Sequence, residues 1–129
     1  MRALETTVPL PADEAEVAVR AALAENGFGV VTEIDFAATL RAKLGIEREP
    51  LKVLGACNPH FAQQALELDP SVALVLPCNV ALSPAGDGAT TVRIVDPHEL
   101  VPDPSFAELA DTATRQLQAA LDSLGSVAT

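Results

Sequence analysis

Short strand-like and helix-like runs alternate irregularly along the chain, which predicts an α+β domain with a largely antiparallel sheet and helices on one face. Three observations carry that expectation. Several short runs alternate apolar and polar residues with period two, as half-buried strands do. One pair of these runs is joined by "SPAGDG" at Ser83–Gly88, a turn of hairpin length. A long apolar stripe of helical period, from Phe106 to Leu124, comes last. The alternative is a parallel βαβ nucleotide-binding fold. It requires a phosphate loop, and neither G-x-G-x-x-G nor a P-loop occurs.

The elements follow in order. Leu4, Thr6, Val8 and Leu10 alternate with Glu5 and Thr7 as a first strand, ended by Pro9 and Pro11. Asp13 with Glu16 resembles a capping box, and Ala15, Val19, Ala22 and Leu23 then share one helical face. Asn26-Gly27 stops that helix, because glycine accepts the left-handed conformation. Phe28, Val30, Thr32 and Ile34 make a second strand. Asp35 caps a short helix with the face Phe36, Leu40 and Leu44, and Gly45 closes it.

After the polar "IEREP", Leu51–Cys57 reads as a third strand, with Leu51, Val53, Gly55 and Cys57 on one face. Asn58-Pro59 starts a helix that runs to Leu68: asparagine accepts from free backbone N–H groups, and proline has none to satisfy. Val72, Leu74, Leu76, Cys78, Val80 and Leu82 alternate as one long strand, in which Pro77 implies an edge, a bulge or a bend. Thr90–Val95 returns beside it. The last helix starts near Asp103-Pro104-Ser105 and stops at Gly125.

The totals narrow the function classes. At 129 residues, 49% hydrophobic and 20% charged, the chain is expected to form one domain over residues 1–129, with no disordered tail as its main feature. With four Phe, no Trp and no Tyr, its core must be built from Leu, Val and Ala. A net charge of −10 argues against nucleic acid and against an anionic membrane surface, both of which demand clustered Lys and Arg. No run approaches the ~20 apolar residues that span a bilayer. The N-terminal stretch turns acidic at once and carries no export signal, so the expected location is cytoplasmic. With two cysteines in a reducing compartment, no stable disulfide is expected.

Those two cysteines mark the region of interest, because "LGACNP" and "LPCNV" each place Asn directly after Cys and Pro close by. Both thiols can be plain structural residues, since free cysteine packs as a small hydrophobe. Alternation points Cys78 to the core with Leu76 and Val80. If the Ser83–Gly88 turn pairs Leu82 with Thr90, Cys78 faces Ile94 and Asp96 is its diagonal neighbour. Asn58 and His60 stand at the mouth of the helix after Cys57, where the dipole lowers a thiol pKa and attracts anions. Cys57, Asn58, Pro59, His60, Cys78, Asn79 and Asp96 are therefore the candidate ligand-binding set. Cys57, Cys78 and His60 are the alternative soft-metal set, suited to zinc or copper(I), although a spacing of 21 residues between the thiols matches no ligand signature. His98 reads as a surface residue in a loop.

The stretch "IDFAATLRAKLGIEREPLKVLGACNPHFAQQALELDPSVALVLPCNVAL", with "VDP" downstream, resembles the domain of unknown function 302 family from about residue 34 to 97. "GACNP" and "LPCNV" are the specific part. Leu51 stands where members often carry an aromatic. The resemblance implies a curved antiparallel sheet gripped by a long helix, as in TATA-box-binding-protein-like domains, and a homodimer. It brings no established enzymatic activity and no cofactor. The expected function is therefore non-enzymatic binding of a small ligand or protein partner in a cleft lined by the two Cys-Asn motifs. The alternatives are a thiol-dependent protein (redox-active, metal-binding or acyl-transferring) and an assembly in which the last helix packs on a second subunit.

Overall fold

The chain runs β1 (Ala3–Val8), α1 (Ala12–Glu25), β2 (Gly29–Asp35), α2 (Phe36–Leu44), β3 (Lys52–Cys57) and α3 (Pro59–Leu68). A 3₁₀ turn at Pro70–Leu74 leads into β4 (Cys78–Gly86), β5 (Ala89–Val95) and the short α4 (Pro97–Leu100), and a second at Pro104–Phe106 opens α5 (Ala107–Val127). The computed structural model describes residues 1–127. The five strands form one open sheet in the order β1-β5-β4-β3-β2, antiparallel at every pairing.

One face of the sheet is covered by α1 and α5. Ala15, Val19, Ala22 and Leu23 are buried along α1 at the spacing expected of them. Ala113, Leu117, Leu121 and Leu124 of α5 meet Leu54, Val80, Val92 and Ile94 of the central strands in one cluster. Burying each such Leu, Val or Ile contributes about 1.5–3 kcal/mol. The α5 stripe is thus used within its own chain, not on a second subunit. At the rim, Lys52 Nζ lies 2.8 Å from Glu16 and 3.1 Å from Glu33, and Arg20 reaches both acids at 2.9 Å. This ring of four charges joins α1 to β2 and β3.

Several local expectations are overturned. Asp13 and Glu16 form no capping box: Pro11 precedes α1 without a side-chain cap, and Glu16 is committed to Lys52 and Arg20. The α2 helix is capped by Asp35, whose Oδ1 accepts from Ala38 N at 2.9 Å, and ends at Gly45 with φ +67°. Yet none of its residues is buried, so the face Phe36, Leu40 and Leu44 does not join the core. The third strand turns Leu54 and Ala56 to the core.

The long strand from Val72 to Leu82 does not exist as such. Val72–Leu74 belong to a 3₁₀ turn started by Asp69, whose carboxylate accepts from Ser71 N at 2.9 Å, and only from Cys78 is the chain extended. The hairpin turns on Asp87-Gly88, both at positive φ (52° and 75°), so Leu82 pairs with Val92 and not with Thr90. Such a tight turn matches the twist of the flanking strands. The register moves by two, which leaves every side chain on its expected face. Gly125 does not stop the last helix, which continues to Val127.

Candidate functional site

Ala56 at the end of β3 pairs with Cys78 at the start of β4, which brings the two Cys-Asn steps to adjacent strands at one end of the sheet. Between them opens a recess of about 270 Å³. β3 and its exit contribute Ala56, Cys57 and Asn58. From α3 come Phe61, Ala62 and Leu66, which share one helical face. The far wall is the segment before β4, with Ala73, Leu76 and Pro77. Val31 completes the rim: β2 bulges between Val30 and Thr32, and the extra residue is left 62% exposed.

Each wall has a local cause. Asn58 caps α3 as its residue type predicts, its Oδ1 accepting from His60 N at 3.0 Å and Phe61 N at 3.3 Å. Its Nδ2 donates to Gln116 Oε1 at 3.0 Å, which ties the start of α3 to α5. Asn58 is itself buried. The far wall is held at Gly55. A Cβ there would overlap the Thr32 hydroxyl and stand 2.7 Å from Pro77 Cγ, so only glycine admits this approach. Leu76, preceding Pro77 through a cis peptide bond, packs against the main core and against a second cluster of Ala65, Val72 and Phe106 behind α3.

The two thiols differ. Both are free. Cys78 is 2% exposed, and burial, with the neighbouring Cys57 second, pushes its thiol up to about 11. Cys57 is half-buried on the recess wall. Cys78 therefore behaves as a polarizable apolar group and not as a thiolate.

Of the seven residues singled out from sequence, the structure brings Cys57, Asn58 and Cys78 into one recess. Pro59 and His60 lie exposed on the outside of the first turn of α3, and His60 lines a separate hollow of about 110 Å³ that also borders Gln116. Asn79 faces outward opposite Gly55. Asp96 is not on the recess wall: the β4–β5 pairing ends at Val80 with Ile94, and Asp96 caps α4 instead. His60 is thus not placed to join the two cysteines around a metal. Among the described residues, no group of three or more His, Cys, Asp or Glu side chains is placed to hold one.

Sequence reasoning missed the residues that shape the recess beyond its cysteines: Val31, Ala62, Leu66 and Leu76. It also missed the partners of His98. This residue sits in α4, with Nδ1 2.7 Å from Asp96 and Nε2 2.6 Å from Asp111 on α5. The hydrogen bond to Asp96, then that to Asp111, raises the His98 pKa. Asp96-Pro97 carries the cap-then-proline pattern of a helix start, a local signal that could have placed His98 in α4. Nothing local announced Asp111.

The fold and recess define a class: a small α+β domain with an open five-stranded antiparallel sheet, a long C-terminal helix and an apolar, thiol-bearing hollow at one sheet end. The family model for "Domain of unknown function DUF302" matches residues 4–124, so the chain belongs to that family. The match extends well beyond the stretch that carries the resemblance in sequence. A crystal structure of an uncharacterized conserved DUF302 protein from Bacillus stearothermophilus superposes with a TM-score of 0.86 at 28% identity. That likeness covers 95% of this chain and 97% of the other. No curated protein matches the chain. Among the described residues, no helix is long and apolar enough to cross a membrane.

Proposed function

We propose that this chain is a non-enzymatic binding domain of the cytoplasm that takes a small ligand in the recess between Cys57, Asn58 and Cys78. One observation carries the proposal: both cysteines and Asn58 line a hollow of about 270 Å³ with a mouth open to solvent. Ligand sites are concave and mostly apolar, with few polar groups, and this hollow fits that description near the small end of the range. A thiol-based reaction is the weaker reading, because burial pushes the Cys78 thiol up to about 11. Assembly as a homodimer belongs to the same proposal. Its support is that β2 has one strand neighbour and that α2 buries none of its side chains.

The test uses the whole protein, labelled at its methyl groups, with toluene as a neutral probe. Saturable shifts at the Ala62, Leu66 and Leu76 methyls, with slower alkylation of Cys57 by N-ethylmaleimide, are the expected result. Unchanged methyl signals at saturating toluene and at saturating 1-alkanol alike would remove the recess as a ligand site. Light scattering at micromolar concentration checks the dimer, which a monomeric mass would rule out.

A further inference from the structure

Resting on the reading of the recess as a ligand site, we propose that its ligand is the uncharged end of an unbranched hydrocarbon chain, about nine carbons of which are held. The polar inventory of the wall decides the sign of the charge. Among the described residues no charged side chain lines the recess, and the one polar side chain there apart from the thiols is Asn58. That amide is mostly committed: its oxygen accepts from His60 N and Phe61 N, and one of its two N–H groups donates to Gln116. Because Asn58 covers the start of α3, with Ala62 N bonded to its carbonyl as well, a carboxylate or phosphate finds no free backbone N–H where a helix N-terminus would otherwise attract one. The net charge of −10 adds a long-range penalty for anions. A buried charge without a partner is costly, so the inserted end is neutral.

Size and rim decide the shape. At about 270 Å³ the hollow holds well over the ~150 Å³ of a cavity that accepts benzene. With a methylene near the ~30 Å³ of a water molecule, it corresponds to about nine carbons. The apolar surface does not stop at the mouth. Leu66, on the wall, is 40% exposed and Val31 62%, while Leu74, beside the lining residue Ala73, is 87% exposed. An aliphatic track leading outwards suits a chain whose head group stays in water.

The experiment is a titration of the full chain with 1-alkanols from hexanol to dodecanol, followed by the methyl signals of Ala62, Leu66 and Leu76. Alkanoates of matched length and toluene serve as comparisons. Kd is expected to fall about three- to fourfold per added carbon up to roughly nine carbons and then level off. Alkanoates are expected to bind at least tenfold more weakly. Leu66→Glu at the mouth and Ala62→Phe on the wall should each weaken decanol at least tenfold. The first alters a partly exposed position, which keeps the test usable should the second fail to fold. Equal affinity for alkanol and alkanoate, or no dependence on length, overturns the chain proposal. If toluene binds and alkanols do not, the ligand class is wrong and the recess stands as a binding site; if neither binds, both fall.

Discussion

Asn58 on α3 donates through Nδ2 to Gln116 Oε1 on α5 at 3.0 Å, while its Oδ1 holds the first turn of its own helix. One buried amide thereby fixes where α3 begins and how that helix sits against the long C-terminal helix. Asn58→Ala removes the cap and strands Gln116, and should cost about 1–2 kcal/mol in urea denaturation. Gln116→Ala leaves the cap in place and should cost less. A larger loss for Gln116→Ala than for Asn58→Ala would contradict this order.

Gly55 is the second determinant of the recess wall. In an ordinary strand, Gly→Ala is neutral or favourable. Here the added Cβ meets Thr32 and Pro77, so Gly55→Ala should destabilise by about 1–3 kcal/mol. Combining it with Thr32→Ala should recover part of the loss, because one of the two overlaps is gone. Thermal unfolding of the two single variants and the double variant measures that non-additivity, and purely additive losses would refute the steric account.

The cysteines should separate cleanly by accessibility. With its pKa up at about 11, Cys78 is thiolate in only about one molecule in a thousand at pH 8. Ellman titration of native protein at pH 8 should register Cys57 alone, and Cys78 only after denaturant. Two thiols reacting at equal rates in the native state would contradict the burial seen here.

His98 predicts a pH dependence. Its pKa is raised above 6.5 in the folded state by hydrogen bonds to Asp96 and Asp111. The stability that the protonated imidazole contributes is therefore complete below about pH 6.5 and is lost as pH rises through the raised value. Asp96 works from the other side. Burial pushes its pKa up, but the bonds from His98 outweigh it and the net shift is downward, so its share is present above pH 3.8 and lost as pH falls further. The urea midpoint should decline between pH 6 and pH 9, and His98→Gln should flatten that decline. The same slope in both proteins would assign it to other groups.

How much of this was legible beforehand depended on the range of the interaction responsible. The Asn58–Pro59 helix start, the Asp35 cap with its Gly45 stop, the buried face of α1 and the inward direction of Cys78 each follow from residues a few positions apart, and each appears as read. The reading failed where two local patterns coincide. Val72 and Leu74 alternate as a strand does, yet Asp69 and Pro70 set a 3₁₀ turn there, and the alternation carries no signal against it.

By itself the sequence determined the α+β class, the acidic balance, a mainly aliphatic core and the faces of most elements, because propensity, capping and periodicity act along the chain. The structure adds Phe28, Phe61 and Phe106 to the Leu, Val and Ala expected inside. Only the tertiary structure decided that Ala56 pairs with Cys78, that Pro77 lies over Gly55, that Asn58 reaches Gln116 and that His98 reaches Asp111. Those contacts join positions far apart in the chain, and strand order and helix placement, which set them, arise from the burial of one shared core. The recess exists only once that core has formed.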